Sequence, residues 1–82
     1  MAFTEQDILA GLQEIVAEET GLPVDTITAE KSFVDDLDID SLSIMTIVTL
    51  AEDKFEVTIP DDDAKEFTTV GSAVNFIVGA QG

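Results

Sequence analysis

Apolar residues recur at helical spacing in three separate stretches of this 82-residue chain, and that periodicity constrains the fold more than any other feature. Ile8, Leu12, Ile15 and Val16, flanked by Leu9, form one stripe. Leu42, Met45, Val48 and Ala51 lie three apart, with Ile44, Ile47, Leu50 and Phe55 widening the stripe. Val70, Val74, Ile77 and Val78 make the last. The pattern predicts an all-α chain: a small bundle of three main helices plus one short helix.

Stop and start signals set the boundaries. Thr4 can cap the first helix, with Asp7 three residues on as an imperfect capping box. Gly21 and Pro23 end it near Thr20. Residues 21–40 then form a long loop between the first and second helices, and a loop of that length in so small a chain is often functional. Val24, Ile27, Phe33, Val34 and Leu37 are expected to pin it to the core, with a short helical turn starting at Asp25 or Thr28. Asp40 is a good N-cap for a helix running to Phe55. The β-branched run Thr46-Ile47-Val48-Thr49 has mediocre helix propensity, but the cap and the length favour helix. The breadth of its apolar surface predicts a central element.

Pro60 at a first helical position, followed by Asp61-Asp62-Asp63, predicts the short helix, with an Asp61–Lys65 pair along it. A last helix begins after Thr68 or Thr69 and turns Val70, Val74, Ile77 and Val78 inward. Residues 79–82 read as a frayed tail. Residues 1–82 are expected to form a single domain.

The 18 acidic residues against three basic ones give a formal net charge of -15, which excludes binding driven by nucleic-acid phosphates and disfavours anionic membranes. Proteins with basic patches are the natural partners. The 45% hydrophobic content, patterned as above, argues against disorder. With no cysteine and no histidine there is no disulfide, thiolate metal site or imidazole base. The N-terminus has neither a basic flank nor a long apolar run, so the expectation is a monomeric cytoplasmic protein without stable membrane insertion.

One stretch carries chemistry: Asp36-Leu37-Asp38-Ile39-Asp40-Ser41-Leu42-Ser43. Acids and serine favour a helix start whatever the function, so a plain capped helix is one reading. Asp36-x-Asp38-x-Asp40 also copies the first ligands of a calcium loop, which would make the chain an acidic calcium-responsive interaction module. That copy fails at Ser41, where the turn needs glycine, and at Ile47, where the bidentate glutamate belongs. A serine nucleophile needs a base, and only Lys31, Lys54 and Lys65 are on offer, so an enzyme is not expected. The remaining reading makes Ser41 a covalent attachment point. Its hydroxyl would sit at a helix N-terminus, where free N–H groups stabilise an attached phosphate.

At these residues the chain resembles the acyl carrier proteins. Asp40-Ser41-Leu42 matches the family's attachment motif, and Asp36-Leu37 the acidic-leucine pair just upstream. Glu52-Asp53-Lys54-Phe55, Val57-x-Ile59-Pro60-Asp61 and Phe67-Thr68-Thr69-Val70 match later family segments in order. The pattern is most similar to the discrete carriers of bacterial type II fatty-acid synthesis. Asp38 departs from it, because the family often has glycine there. Ser43 and Thr46 also stand where the family's second helix is often acidic.

The resemblance implies a non-catalytic carrier, with 4′-phosphopantetheine from coenzyme A attached to Ser41 and acyl chains riding on it as thioesters. Implied partners are a phosphopantetheinyl transferase and synthase enzymes with basic patches: malonyl transferase, ketosynthase, ketoreductase, dehydratase and enoyl reductase. A carrier of polyketide or peptide assembly is the near alternative. Asp36, Asp38, Asp40, Leu42, Glu52, Asp53 and Glu56 are the expected partner contacts, with Asp35 beside them. Leu42 is expected to be half core and half contact. The aliphatic core is either an ordinary small core or one that parts to admit an acyl chain.

Overall fold

The computed structural model describes residues 3–81. Helix α1 spans Glu5–Thr20, α2 Ser41–Phe55, α3 Asp61–Ala64 and α4 Val70–Ala80, with a 3-10 turn at Val24–Thr26. The expected bundle of three main helices and one short one is therefore present.

The helix ends follow from the residues expected to make them. Thr4 Oγ1 accepts the Asp7 N–H at 3.1 Å, and Asp7 Oδ2 accepts the Thr4 N–H at 3.2 Å, which completes a reciprocal capping box. Gly21 ends α1 in the left-handed region, φ 80°, and donates its N–H to the Ala17 carbonyl. In α2 the Thr46 and Thr49 hydroxyls donate to the carbonyls of Leu42 and Met45, so the β-branched run satisfies its polar groups within the helix. Thr69 caps α4 through the Ser72 N–H.

Helix α1, not α2, is the element that packs against both other long helices. Its buried stripe is Ile8, Gly11, Leu12, Ile15 and Val16. Gly11 lets α2 pack tightly there, because a Cβ built on it would lie 2.4 Å from Phe55 Cζ. Helix α2 buries Ile47, Val48, Ala51 and Phe55 but leaves Leu42 and Leu50 outside. Its wide apolar circumference is thus partly surface, which corrects its reading as the central helix.

The loop from Gly21 to Asp40 is ordered by anchors at both edges. Ile27, Phe33, Leu37 and also Ile39 are buried, whereas Val24 and Val34 are exposed, contrary to expectation. Gln13 Nε2 donates to the Ile27 carbonyl at 2.6 Å. On the far side, the Phe33 N–H donates to the Thr68 carbonyl, while Val70 and Gly71 donate theirs to Lys31 and Ala29. The loop therefore supplies carbonyls to the first free N–H groups of α4.

Four smaller expectations are revised. Pro60 precedes α3 as its cap residue rather than opening it. Lys54–Glu14, at 3.9 Å, is the one ion pair among the described residues, so Asp61 and Lys65 do not pair. Of the expected frayed tail at 79–82, residues 79–81 are held in place: α4 runs through Ala80, and Gln81 exchanges hydrogen bonds with both the N–H and the carbonyl of Phe3. Gly82 lies outside the described residues. Val78, expected inside, is on the surface side of α4.

Candidate functional site

Helix α2 begins at Ser41, and the preceding residues determine how that serine is offered. Asp40 is extended and its Oδ1 accepts the Ser43 N–H at 2.8 Å. The Ser43 N–H and hydroxyl bonds hold the Asp40 carboxyl below the ordinary aspartate range, outweighing a small opposing desolvation. The cap takes Ser43, two residues past Ser41, and leaves the Ser41 hydroxyl out of it. Ser41 is exposed at the first helical position of a 15-residue helix. An anionic group on that hydroxyl sits at the positive end of the helix dipole.

Upstream, Leu37 and Ile39 point into the core and Asp38 between them is exposed. The backbone turns between them at Asp38, which holds φ 55°. Glycine adopts this conformation without strain, and aspartate is among the few side chains that tolerate it. The departure from the family pattern therefore keeps the glycine-like backbone.

The acids of the apparent calcium loop are put to separate uses. Asp36 Oδ2 accepts the Ser32 N–H at 2.8 Å and Asp40 caps α2. Among the described residues no group of three or more carboxylates is arranged to hold a metal ion. Of the three lysines weighed as a base, Lys54 pairs with Glu14 at 3.9 Å.

The other expected contact residues fall into two groups. Asp35, Asp36, Asp38, Asp40, Asp53 and Glu56 are exposed. Leu42 is 80% exposed, so it is a surface residue rather than half core. Glu52 is half-buried, and its Oε2 accepts the Ile59 N–H at 2.8 Å, which ties the end of α2 to the segment before α3. Glu56 closes α2 in the left-handed region with φ 54°.

A family model described as a phosphopantetheine attachment site matches residues 10–77. The chain belongs to the acyl carrier proteins. It is 70% identical to an acyl carrier protein of Beutenbergia cavernae, over 99% of both chains. It is 66% identical to one of Kineococcus radiotolerans, over 96% of this chain and 98% of that one. Among solved structures, the acyl carrier protein of Enterococcus faecalis superposes with a TM-score of 0.80 at 35% identity, covering 95% of this chain and 99% of that chain.

The carrier takes phosphopantetheine as its covalent group. When bound, that group supplies the thiol that a chain without cysteine lacks. The exposed Ser41 hydroxyl fits it in chemistry, being an alcohol able to form a phosphodiester. Between the helices, Leu12, Phe33, Ile47, Val48, Phe67 and Ile77 help line an apolar cavity of about 10 Å³, room for about one water. An acyl chain cannot enter that core without parting the helices.

Sequence reasoning missed Ile39 as an anchor and Ser32 as a partner of Asp36. The four-residue spacing from Ser32 to Asp36 was the available signal for the second.

Proposed function

We propose that this carrier serves fatty-acid biosynthesis, as a cytoplasmic monomer of one domain, with 4′-phosphopantetheine on Ser41. The observation that carries the reading is the exposed serine at the first position of α2, behind an aspartate that caps the helix without using the serine hydroxyl. Identity of 70% and 66% to acyl carrier proteins over nearly the whole chain supports the carrier reading, and the sequence pattern resembling discrete fatty-acid carriers favours this pathway over polyketide or peptide assembly. No described helix is long and apolar enough to cross a membrane.

The carrier itself performs no catalysis. A phosphopantetheinyl transferase supplies the base and the metal, and the serine supplies the oxygen. Malonyl transferase, ketosynthase, ketoreductase, dehydratase and enoyl reductase are the partners in turn. Their basic rims meet the eleven acids between Asp35 and Glu66. Exposed charge pairs speed encounter but contribute little affinity each, which suits a shuttle that must leave every enzyme.

Reconstitution with fatty-acid synthase enzymes tests the pathway. Mass spectrometry of the loaded carrier should show saturated acyl chains growing by two carbons. Refusal of malonyl transfer by a carrier that already bears its arm, with acceptance of aminoacyl or branched polyketide units, would assign it elsewhere.

A further inference from the structure

We propose that Asp36 is a positioning residue for Ser41 rather than a docking charge; this deepens, and rests on, the reading of Ser41 as the attachment residue. Asp36 Oδ2 accepts the Ser32 N–H at 2.8 Å. In return, the Ser32 carbonyl accepts the N–H groups of Asp36 at 3.1 Å and Leu37 at 3.0 Å. The Ser32 hydroxyl accepts the Asp35 N–H at 3.2 Å. This turn is closed from both ends, and Asp36 is the only one of its acids that closes it with a carboxylate, since Asp35 enters through its main chain.

The turn is coupled to Ser41 through its neighbours. The Phe33 carbonyl accepts the Ile39 N–H at 2.8 Å, and the Phe33 N–H donates to the Thr68 carbonyl, two residues before α4. Asp38, with its left-handed backbone, lies inside that closure. The hydrogen-bonded unit thus reaches from Ser32 to Ile39, two residues before Ser41, and one end is held by Thr68. Without the Asp36 acceptor, Leu37 and Ile39 stay buried and the fold persists. The backbone from Asp38 to Asp40 gains freedom, and with it the direction of the Ser41 hydroxyl. An orienting defect slows the bound step, whereas loss of a docking charge weakens encounter.

Asparagine separates the two roles, because its side-chain oxygen still accepts the Ser32 N–H while the charge is gone. The experiment uses the full chain with coenzyme A and a phosphopantetheinyl transferase. It measures kcat and the KM for the carrier in wild type, Asp36→Asn, Asp36→Ala and Asp35→Asn. Asp36→Ala should lose about tenfold in kcat with little change in KM. Asp36→Asn should keep the wild-type kcat. Amide hydrogen exchange on the unmodified proteins should be faster at Leu37 and Ile39 in Asp36→Ala alone.

Equal impairment by Asn and Ala, expressed in KM and fading with added salt, would make Asp36 a docking charge and overturn the proposal. So would unchanged exchange in Asp36→Ala. If wild type accepts no group at Ser41, the attachment reading fails, and the exchange comparison still decides whether Asp36 holds the loop. If Asp36→Ala does not fold, a folded Asp36→Asn with reduced kcat overturns the proposal, and one with wild-type kcat and protected Ile39 supports it.

Discussion

The Asp40 carboxylate accepts the Ser43 backbone N–H at 2.8 Å, so the residue that ends the long loop also starts the helix that presents Ser41. That bond lowers the Asp40 pKa in the folded state. A depressed folded pKa contributes stability above the unfolded value, about 3.9, and loses it as pH falls through the folded one. Asp40→Ala should therefore melt below wild type at neutral pH. The gap should narrow as the pH drops through the acidic range, below the usual aspartate value. Thermal midpoints of both proteins across pH check this, and a gap that widens on acidification would contradict it.

Gly11 faces the Phe55 ring at a distance that leaves no room for a methyl group. Gly11→Ala gains about 1 kcal/mol of helix propensity. It must also displace a ring that is 3% exposed, an overpacking cost of about 1–3 kcal/mol. Overpacking should win, leaving the variant about 1 kcal/mol less stable in urea denaturation.

Asp38 holds φ 55° beside the proposed attachment site. Asp38→Gly relieves left-handed strain but frees the unfolded chain, so a gain of at most about 1 kcal/mol is expected. Asp38→Val should lose more than that, because a β-branched residue is a true outlier there. Opposite shifts of the thermal midpoint would support this account of the loop.

A chain of net charge -15, with one weak ion pair among its described residues, repels itself. Raising ionic strength from about 0.01 M to 1 M shortens the screening length from about 30 Å to 3 Å. The thermal midpoint should rise over that range. Association rates with a basic partner enzyme should fall, as stopped-flow measurements would show.

Much of this was legible in the residues. Caps are local, so Thr4 with Asp7, Gly21, Asp40 and Thr69 marked their helix ends correctly. Burial was legible only where periodicity applies. In the loop, Val24, Val34 and Ile39 carry no period, and their exposure depends on tertiary anchors such as Phe33 on Thr68. Leu42 and Leu50 fit an apolar stripe yet face outward, because α1 covers only part of α2. Glu52 illustrates the same limit at the site. As a charge it looked free, but its partner Ile59 is seven residues away across a turn.

The central claim is that Ser41 is the tether, and intact-protein mass spectrometry after incubation with coenzyme A and a phosphopantetheinyl transferase tests it most directly. Wild type should gain the mass of one phosphopantetheine, mapped by fragmentation to Ser41, while folded Ser41→Ala and Ser43→Ala should respectively gain none and one. An unmodified wild type, or an equal adduct on Ser41→Ala, would contradict the account.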